Sequence, residues 1–195
     1  MSGFRGSAGG VTARFSATEA AIVRTLVSQI AELVQLDQPP PEPGGLTPGE
    51  AGAHGPGSPD DLADMLSQLE RPATRPEDPV LARLFPDAYR EDPEAAGEFR
   101  RYTEDGLRGA KVENARLVLA TLPAEGGRVR LSGAEAQSWL QALNDVRLAL
   151  GVRLEITEDF EDQLAGLAAD DPRAGYFEVY NWLTYVQETL VRALW

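Results

Sequence analysis

Six helix-start signals constrain the fold of this chain more than any other feature of its sequence. Two are capping boxes, in which Ser at the N-cap is followed three residues later by Glu: Ser16–Glu19 and Ser132–Glu135. In the other four, Ser or Asp directly precedes a Pro at the first helical position: Ser58-Pro59, Asp78-Pro79, Asp92-Pro93 and Asp171-Pro172. The sequence therefore predicts a mainly α-helical protein, because Ser and Asp accept bonds from the free N–H groups of a helix start.

Apolar residues at helical spacing follow these signals, and short alternating runs predict strands. The helix after Ser132 carries a regular apolar face and is predicted to end at Gly151. Phe4-Arg5 and Val11–Phe15 resemble a hairpin around a Gly-rich turn, and Arg128–Leu131 is a third strand candidate. We predict a mainly α fold, a helical bundle of six or seven helices with a small two- or three-stranded antiparallel sheet.

The first and last helices are each predicted to bury one apolar face. In the first helix this face comprises Ile22, Leu26, Ile30, Leu33 and Val34. In the last helix it comprises Val179, Leu183, Val186, Leu190 and Leu194, and Trp182 and Tyr185 widen the apolar arc. We predict that the aromatic residues of the last helix pack in the core, and that a homodimer forms on this helix.

One segment has the composition of a linker. Of the 22 residues from Gln38 to Pro59, 13 are Pro or Gly, a composition that supports neither helix nor regular strand. A chain of 195 residues is otherwise long enough to bury a core without disulfides or metal ions. We predict one α-rich domain, residues 1–195, with a flexible Pro/Gly insertion at 38–59.

Residue composition excludes several kinds of chemistry. The chain has no cysteine, which excludes disulfides, thiolate metal ligands and thiol nucleophiles. Its only histidine, His54, lies in the Pro/Gly insertion without a partner to tune it, which disfavours Ser-His-Asp catalysis and zinc binding. The N-terminus lacks a signal-peptide pattern, and no apolar run approaches about 18 residues. We therefore expect a cytoplasmic protein without catalytic residues, metal or cofactor.

The net charge of −13 predicts a protein partner more readily than a nucleic acid. Segment 133–169 has the layout of a helix–turn–helix, with Arg128 and Arg130 on an adjacent wing. Its second helix would be acidic, however, and DNA phosphates would repel it. Direct DNA binding would require a contiguous cationic stripe on the surface.

Carboxylates are concentrated between Arg153 and Arg173. This stretch includes Glu155, Glu158, Asp159, Glu161 and Asp162 and has no basic residue between its ends. A Mg²⁺ or Ca²⁺ site is one interpretation, but the spacing differs from a calcium loop and the adjacent pairs splay around a helix. We favour a solvated acidic face, with a docking surface for a basic partner as the alternative.

Three polar residues, Asn144, Asp145 and Arg147, interrupt the apolar helix after Ser132. We favour a buried polar network in which Arg147 pairs with a carboxylate and Asn144 bonds backbone carbonyls. A role in partner binding is the alternative for these three residues.

Several segments together match a known family pattern: Trp139–Gly151, which is the most specific, and Leu84–Tyr89, Glu98-Phe99-Arg100, Tyr180–Leu183 and Gln187–Leu190. With them the chain resembles an actinobacterial family of unknown function whose genes often lie beside that of the ClpS adaptor of the Clp protease. The resemblance implies no catalytic residues. Some members are labelled transcriptional regulators. A thiol switch is proposed for members that contain cysteine, and this chain cannot use such a switch because it has no cysteine.

We predict a non-enzymatic regulatory or adaptor protein that acts through protein–protein contacts, with Clp-dependent proteolysis as one context. The alternative is a transcription-associated regulator that acts on RNA polymerase or a sigma factor. A carboxylate-based Mg²⁺ enzyme is the third and weakest interpretation.

Overall fold

The computed structural model describes residues 3–7, 9–37, 76–88, 92–160, 163, 166, 167, 171 and 173–195. Within them the chain forms three strands and five helices: β1 (Arg5–Ser7), β2 (Gly10–Phe15), α1 (Ala17–Leu36), α2 (Pro79–Leu84), α3 (Pro93–Thr121), β3 (Gly127–Leu131), α4 (Gly133–Arg153) and α5 (Ala174–Leu194). The predicted mainly helical fold with a small antiparallel sheet is confirmed. The insertion at 38–59 and the helix predicted after Ser58 lie outside the described residues.

The sheet has the order β1-β2-β3 and is antiparallel throughout. Thr12 of β2 faces Arg5 on one side and Arg130 on the other, and Arg14 faces Arg128. β1 lies further along the chain than predicted, since Gly6 and Ser7 pair with β2. Phe4 instead leaves the sheet: its N–H donates to Thr189 Oγ1 of α5 at 2.9 Å, and its ring is buried.

Both predicted capping boxes form. The backbone N–H of Ser16 donates to Glu19 Oε2 at 2.7 Å, and Ser132 makes the same bond to Glu135. Asp78 and Asp92 cap α2 and α3 as predicted. The last helix begins at Ala174, later than the Asp171-Pro172 signal predicts. The Asp171 carboxylate accepts hydrogen bonds from the backbone N–H and the guanidinium of Arg173 and does not cap the helix.

α4 continues past Gly151, so the predicted helix end is wrong by two residues. Glu155 adopts the left-handed conformation (φ 53°), the N–H of Ile156 donates to the carbonyl of Gly151, and that of Glu155 donates to Val152. This pattern is a Schellman motif, which satisfies the last carbonyls of a helix. Glu155 therefore occupies the position for which the sequence offered Gly151.

The larger apolar cluster, here called the central core, joins the inner face of the sheet to α1, α3, α4 and α5. Trp139 is fully buried at its middle, with Phe4 and Phe15 ring centroids 5.6 and 5.8 Å away. Its indole N–H donates to Thr121 Oγ1 at 2.8 Å. The strands alternate as predicted, because their inward residues are buried: Val11, Ala13, Phe15, Val129 and Leu131.

The buried faces of α1 and α5 differ in accuracy of prediction. In α1 the fully buried residues are Ala20, Val23, Val27 and Val34, of which the prediction included only Val34, while the predicted Leu26, Ile30 and Leu33 are partly buried and pack against the two clusters. In α5 the predicted Leu183, Val186 and Leu190 are fully buried, while Tyr185 keeps 39% of its surface exposed.

The smaller cluster, here called the second core, packs the end of α1 and α2 against α3 and α4. Its buried members are Val34, Val80, Leu81, Leu84, Phe85, Val112 and Ala149. A row of charged side chains on α3 borders it. Arg108, 3% exposed, donates to Glu104, to Asp37 at 2.6 Å and to the carbonyl of Val34, and its guanidinium lies 4.5 Å from the Phe85 ring centroid.

Candidate functional site

Three of the predicted partner-binding residues, Asn144, Arg147 and Glu155, line one cleft of about 450 Å³ at the end of α4. Asn144 and Arg147 share a face because residues three apart on a helix lie one above the other. Glu155 reaches the rim through the left-handed turn after α4. The remaining lining residues come from α2, from α4 and the segment after it, and from α5: Arg83, Leu148, Gly151, Val152, Ile156, Thr157 and Tyr180.

Arg147 is the half-buried cation of this cleft. Its Nη1 donates to Gln187 Oε1 of α5 at 2.7 Å, and the Gln187 amide nitrogen lies 3.4 Å from Asn144 Oδ1. The guanidinium carbon lies 5.7 Å from the Tyr180 ring centroid. Its Nε is buried without a hydrogen-bond partner. The cleft thus holds a guanidinium against an amide and an aromatic ring.

The predicted pairing of Arg147 with a carboxylate is wrong. Among the described residues no acidic side chain lies within ion-pair distance of Arg147. Asn144 also differs from its prediction, since its side chain meets Gln187 and not a backbone carbonyl. Helix geometry explains the first difference: Asp145, two positions before Arg147, points about 200° around the helix from it and faces Lys111.

Asp145 faces α3 and bonds Lys111, with Oδ1 2.6 Å from Nζ. Only 5% of Asp145 is exposed, and burial raises the pKa of its carboxyl, which the hydrogen bond and charge of Lys111 partly oppose. Lys111 is the single lysine of the chain. Asp145 therefore belongs to the charged border of the second core and not to the cleft.

The acidic segment is described only in part. Glu155, Glu158 and Asp159 are exposed, whereas Glu161 and Asp162 lie outside the described residues. In the part of the chain that the structure describes, no three His, Cys, Asp or Glu side chains converge as a metal site would require. The solvated acidic face and the docking surface stay as alternative predictions.

A second polar surface, of which the sequence analysis named only Arg128 and Arg130, is the outer face of the sheet. Arg5, Arg14, Arg128 and Arg130 are all exposed there, around Thr12. We call these four side chains the arginine face. None of them forms an ion pair with a described residue. The signal was present in the alternation of Arg128-Val129-Arg130, but only the sheet register adds Arg5 and Arg14 to it.

A groove of about 800 Å³ runs beside this face. One wall is β2 from Thr12 to Phe15 with Ser16 and Glu19, and the other is Gly3 to Arg5 with Tyr185 and Thr189 of α5. The groove exists because β1 pairs with β2 only over residues 10–12, and Phe4 then turns towards α5.

Fold and site together define a mainly helical protein with two polar surface depressions and, in the described residues, no helix long and apolar enough to cross a membrane. The chain belongs to the family described as domain of unknown function DUF2017, which matches residues 1–194. The ClpS gene neighbourhood expected from the resemblance is a separate matter that this match leaves open.

Curated relatives carry regulatory names. A Mycobacterium tuberculosis protein named oxidative stress regulator AosR is 39% identical over 148 residues, 69% of this chain and 66% of the relative. A Mycobacterium leprae protein named putative oxidative stress regulator AosR is 42% identical over 135 residues, 63% of this chain and 61% of the relative. The chain thus spans slightly less than two thirds of their length. No solved structure matches the chain.

Proposed function

We propose that this chain is a non-enzymatic regulatory protein that acts through protein–protein contacts, with the α4–α5 cleft as a contact site. The observation that carries the proposal is Arg147, a half-buried cation whose described partners are an amide and a ring. A partly desolvated charge without a counter-ion is costly, and a carboxylate from a partner would complete it with charge-assisted hydrogen bonds.

The regulatory part of the proposal is supported by the names of the mycobacterial relatives. Those names join regulation to oxidative stress. The 195 residues of this chain contain no cysteine, so a thiol–disulfide switch within them is excluded. We therefore place the regulatory action in binding, and any response to oxidants in the partner.

Two partner classes remain in competition. A component of Clp-dependent proteolysis is the first, and RNA polymerase or a sigma factor is the second. A photo-crosslinking amino acid in place of Tyr180, whose ring lines the cleft, would capture the partner in host cells. The same amino acid in place of Tyr102, which is 82% exposed on α3, is the control position.

We expect a crosslinked protein from position 180 that position 102 does not give, and its loss when Arg147→Gln is added. Arg147→Lys should restore part of the yield, because it keeps the positive charge but not the planar fork. Thermal unfolding of each variant shows whether the fold is retained. Equal crosslinking with and without Arg147 would overturn the cleft as the contact site.

A further inference from the structure

The arginine face carries a cost in the free protein. Arg14 and Arg128 are directly opposite each other on paired strands, and Arg5 and Arg130 flank Thr12 between them. Like charges opposite each other on a sheet destabilise it. None of the four has an acidic partner among the described residues, although the chain carries 31 acidic side chains. An anionic group bound across the strands would relieve this repulsion.

In the groove beside the face, part of one edge of β2 has no strand paired to it among the described residues. Ala13, Arg14 and Phe15 pair with β3 on one side, and the described residues place no strand on their other side. An extended peptide can add to such an edge through its backbone, with alternate side chains facing the same way as those of the neighbouring strand. Acidic residues at every second position would then face Arg14 and reach towards Arg5 and Arg128.

We propose that the arginine face and the adjoining groove bind an extended acidic segment of a partner protein. Arginine suits this role, because its planar guanidinium binds carboxylates through two parallel hydrogen bonds. This site is separate from the α4–α5 cleft, so a partner can engage the two surfaces independently.

A nucleic acid fits these observations less well than an acidic peptide. Single strands are held by base stacking on several aromatic rings, and this surface offers one partly exposed ring, Tyr185 in the groove wall, while the outward positions of the described strands carry Arg, Ser, Thr and Gly. Glu19 forms part of the groove wall. A long polyanion would also extend beyond the four arginines over the rest of the chain, whose net charge is −13. Negative charges of the protein within about 8–10 Å, the screening length at ordinary salt concentrations, would repel it.

The test uses a fluorescent peptide of about ten residues that alternates Glu and Val, long enough to form one strand. Its binding is measured by anisotropy to the full chain, to R14Q/R128Q and to the matched control R116Q/R153Q. Arg116 and Arg153 are exposed at 64% and 62% and lie on helices outside the groove. Both double variants remove two positive charges.

We expect R14Q/R128Q to bind the peptide about tenfold more weakly, from the loss of two charge-assisted contacts, and R116Q/R153Q to bind as the wild type does. The melting temperature of R14Q/R128Q should equal or exceed that of the wild type, since the substitution removes repulsion. On peptide addition, the amides among Ala13–Phe15 that point towards the groove and not towards β3 should become protected from hydrogen exchange.

Three results would overturn the proposal. Absent binding, or equal binding by all three proteins, removes the arginine face as an anion site. Binding without protection of Ala13–Phe15 removes the strand-addition geometry. Tighter binding of an oligothymidine or a DNA duplex than of the peptide reassigns the face to nucleic acid. We expect Arg147→Gln to leave binding of the peptide unchanged, because Arg147 lines the cleft and not the groove. A negative result for the arginine face is therefore distinguishable from a negative result for the cleft.

Discussion

The central core and the second core both pack along α4 but differ in how they are built. Among the described residues, twenty buried ones form the central core around Trp139, whose indole N–H donates to Thr121 Oγ1. The second core has seven buried residues and a border of ionic groups that includes Arg108 and Asp145.

The difference shows what each region uses to fix its neighbours. The free energy gained by burying apolar surface is roughly proportional to the buried area and has no preferred direction. The larger central core therefore supplies most of the stability. Buried ion pairs add little net stability but penalise any arrangement that separates them. The ionic border therefore specifies where the end of α1 and the short α2 lie against α3, and it should make the second core more sensitive to pH and salt.

The largest expected effect is in the central core. Trp139→Ala removes a fully buried ring that contacts Phe4 and Phe15, and should lower the free energy of unfolding by about 3–5 kcal/mol. Urea unfolding measures it. Trp195→Ala, at a position 80% exposed, should change the same quantity by less than about 0.5 kcal/mol. Similar losses for the two would mean that Trp139 does not anchor the core.

Lys111→Met tests the ionic border. It leaves the Asp145 carboxylate buried without its partner, and we expect a loss of about 3 kcal/mol at neutral pH. Without Lys111, burial raises the pKa of Asp145 further above its ordinary value. An acid whose folded pKa is raised stabilises the fold at low pH, and this contribution is lost as pH rises.

The difference between wild type and Lys111→Met should therefore grow from about pH 4 towards neutral pH. Chemical denaturation at several pH values measures it, and Asp145→Asn/Lys111→Met should abolish the trend. A difference that is constant with pH would show that Lys111 does not alter the pKa of Asp145 in the folded protein.

Thr121→Val tests whether the central core depends on the hydrogen bond between the Trp139 indole and Thr121. The substitution leaves the buried indole N–H of Trp139 without an acceptor, so unfolding should cost about 1–2 kcal/mol less. Thr103→Val on α3 is the matched control, since Thr103 only bonds the carbonyl of Phe99 on the same exposed face. Equal effects from the two would assign the loss to helix propensity.

The smallest effect is expected at an exposed ion pair. Arg116 pairs with Glu113 on the solvent side of α3, with 64% and 68% of the side chains exposed. Arg116→Ala should change the unfolding free energy by less than about 0.5 kcal/mol, and added salt should remove even that. A larger loss would mean that surface pairs contribute as the ionic border does, which would weaken the contrast between the two regions.

The sequence by itself determined four of the helix starts and the faces of the strands. Capping by Ser16, Asp78, Asp92 and Ser132 involves residues within one turn, and strand faces follow from a two-residue period. These interactions are local, so residue types at fixed spacing suffice to predict them. The predicted carboxylate partner of Arg147 was wrong, because residue spacing along one helix does not show which side chains of the facing helix lie against it.

Only the tertiary structure decided which distant residues meet. Lys111 and Asp145 are 34 residues apart, and Arg147 and Gln187 are 40 apart. The four arginines share one face of the sheet only because β2 pairs with both β1 and β3. β2 and β3 are far apart in the sequence, so this pairing brings Arg5 and Arg14 next to Arg128 and Arg130. The extension of α4 beyond Gly151 likewise depends on the Glu155 turn that completes its last hydrogen bonds. Such contacts depend on chain packing, because the same local pattern is compatible with many relative placements of the elements.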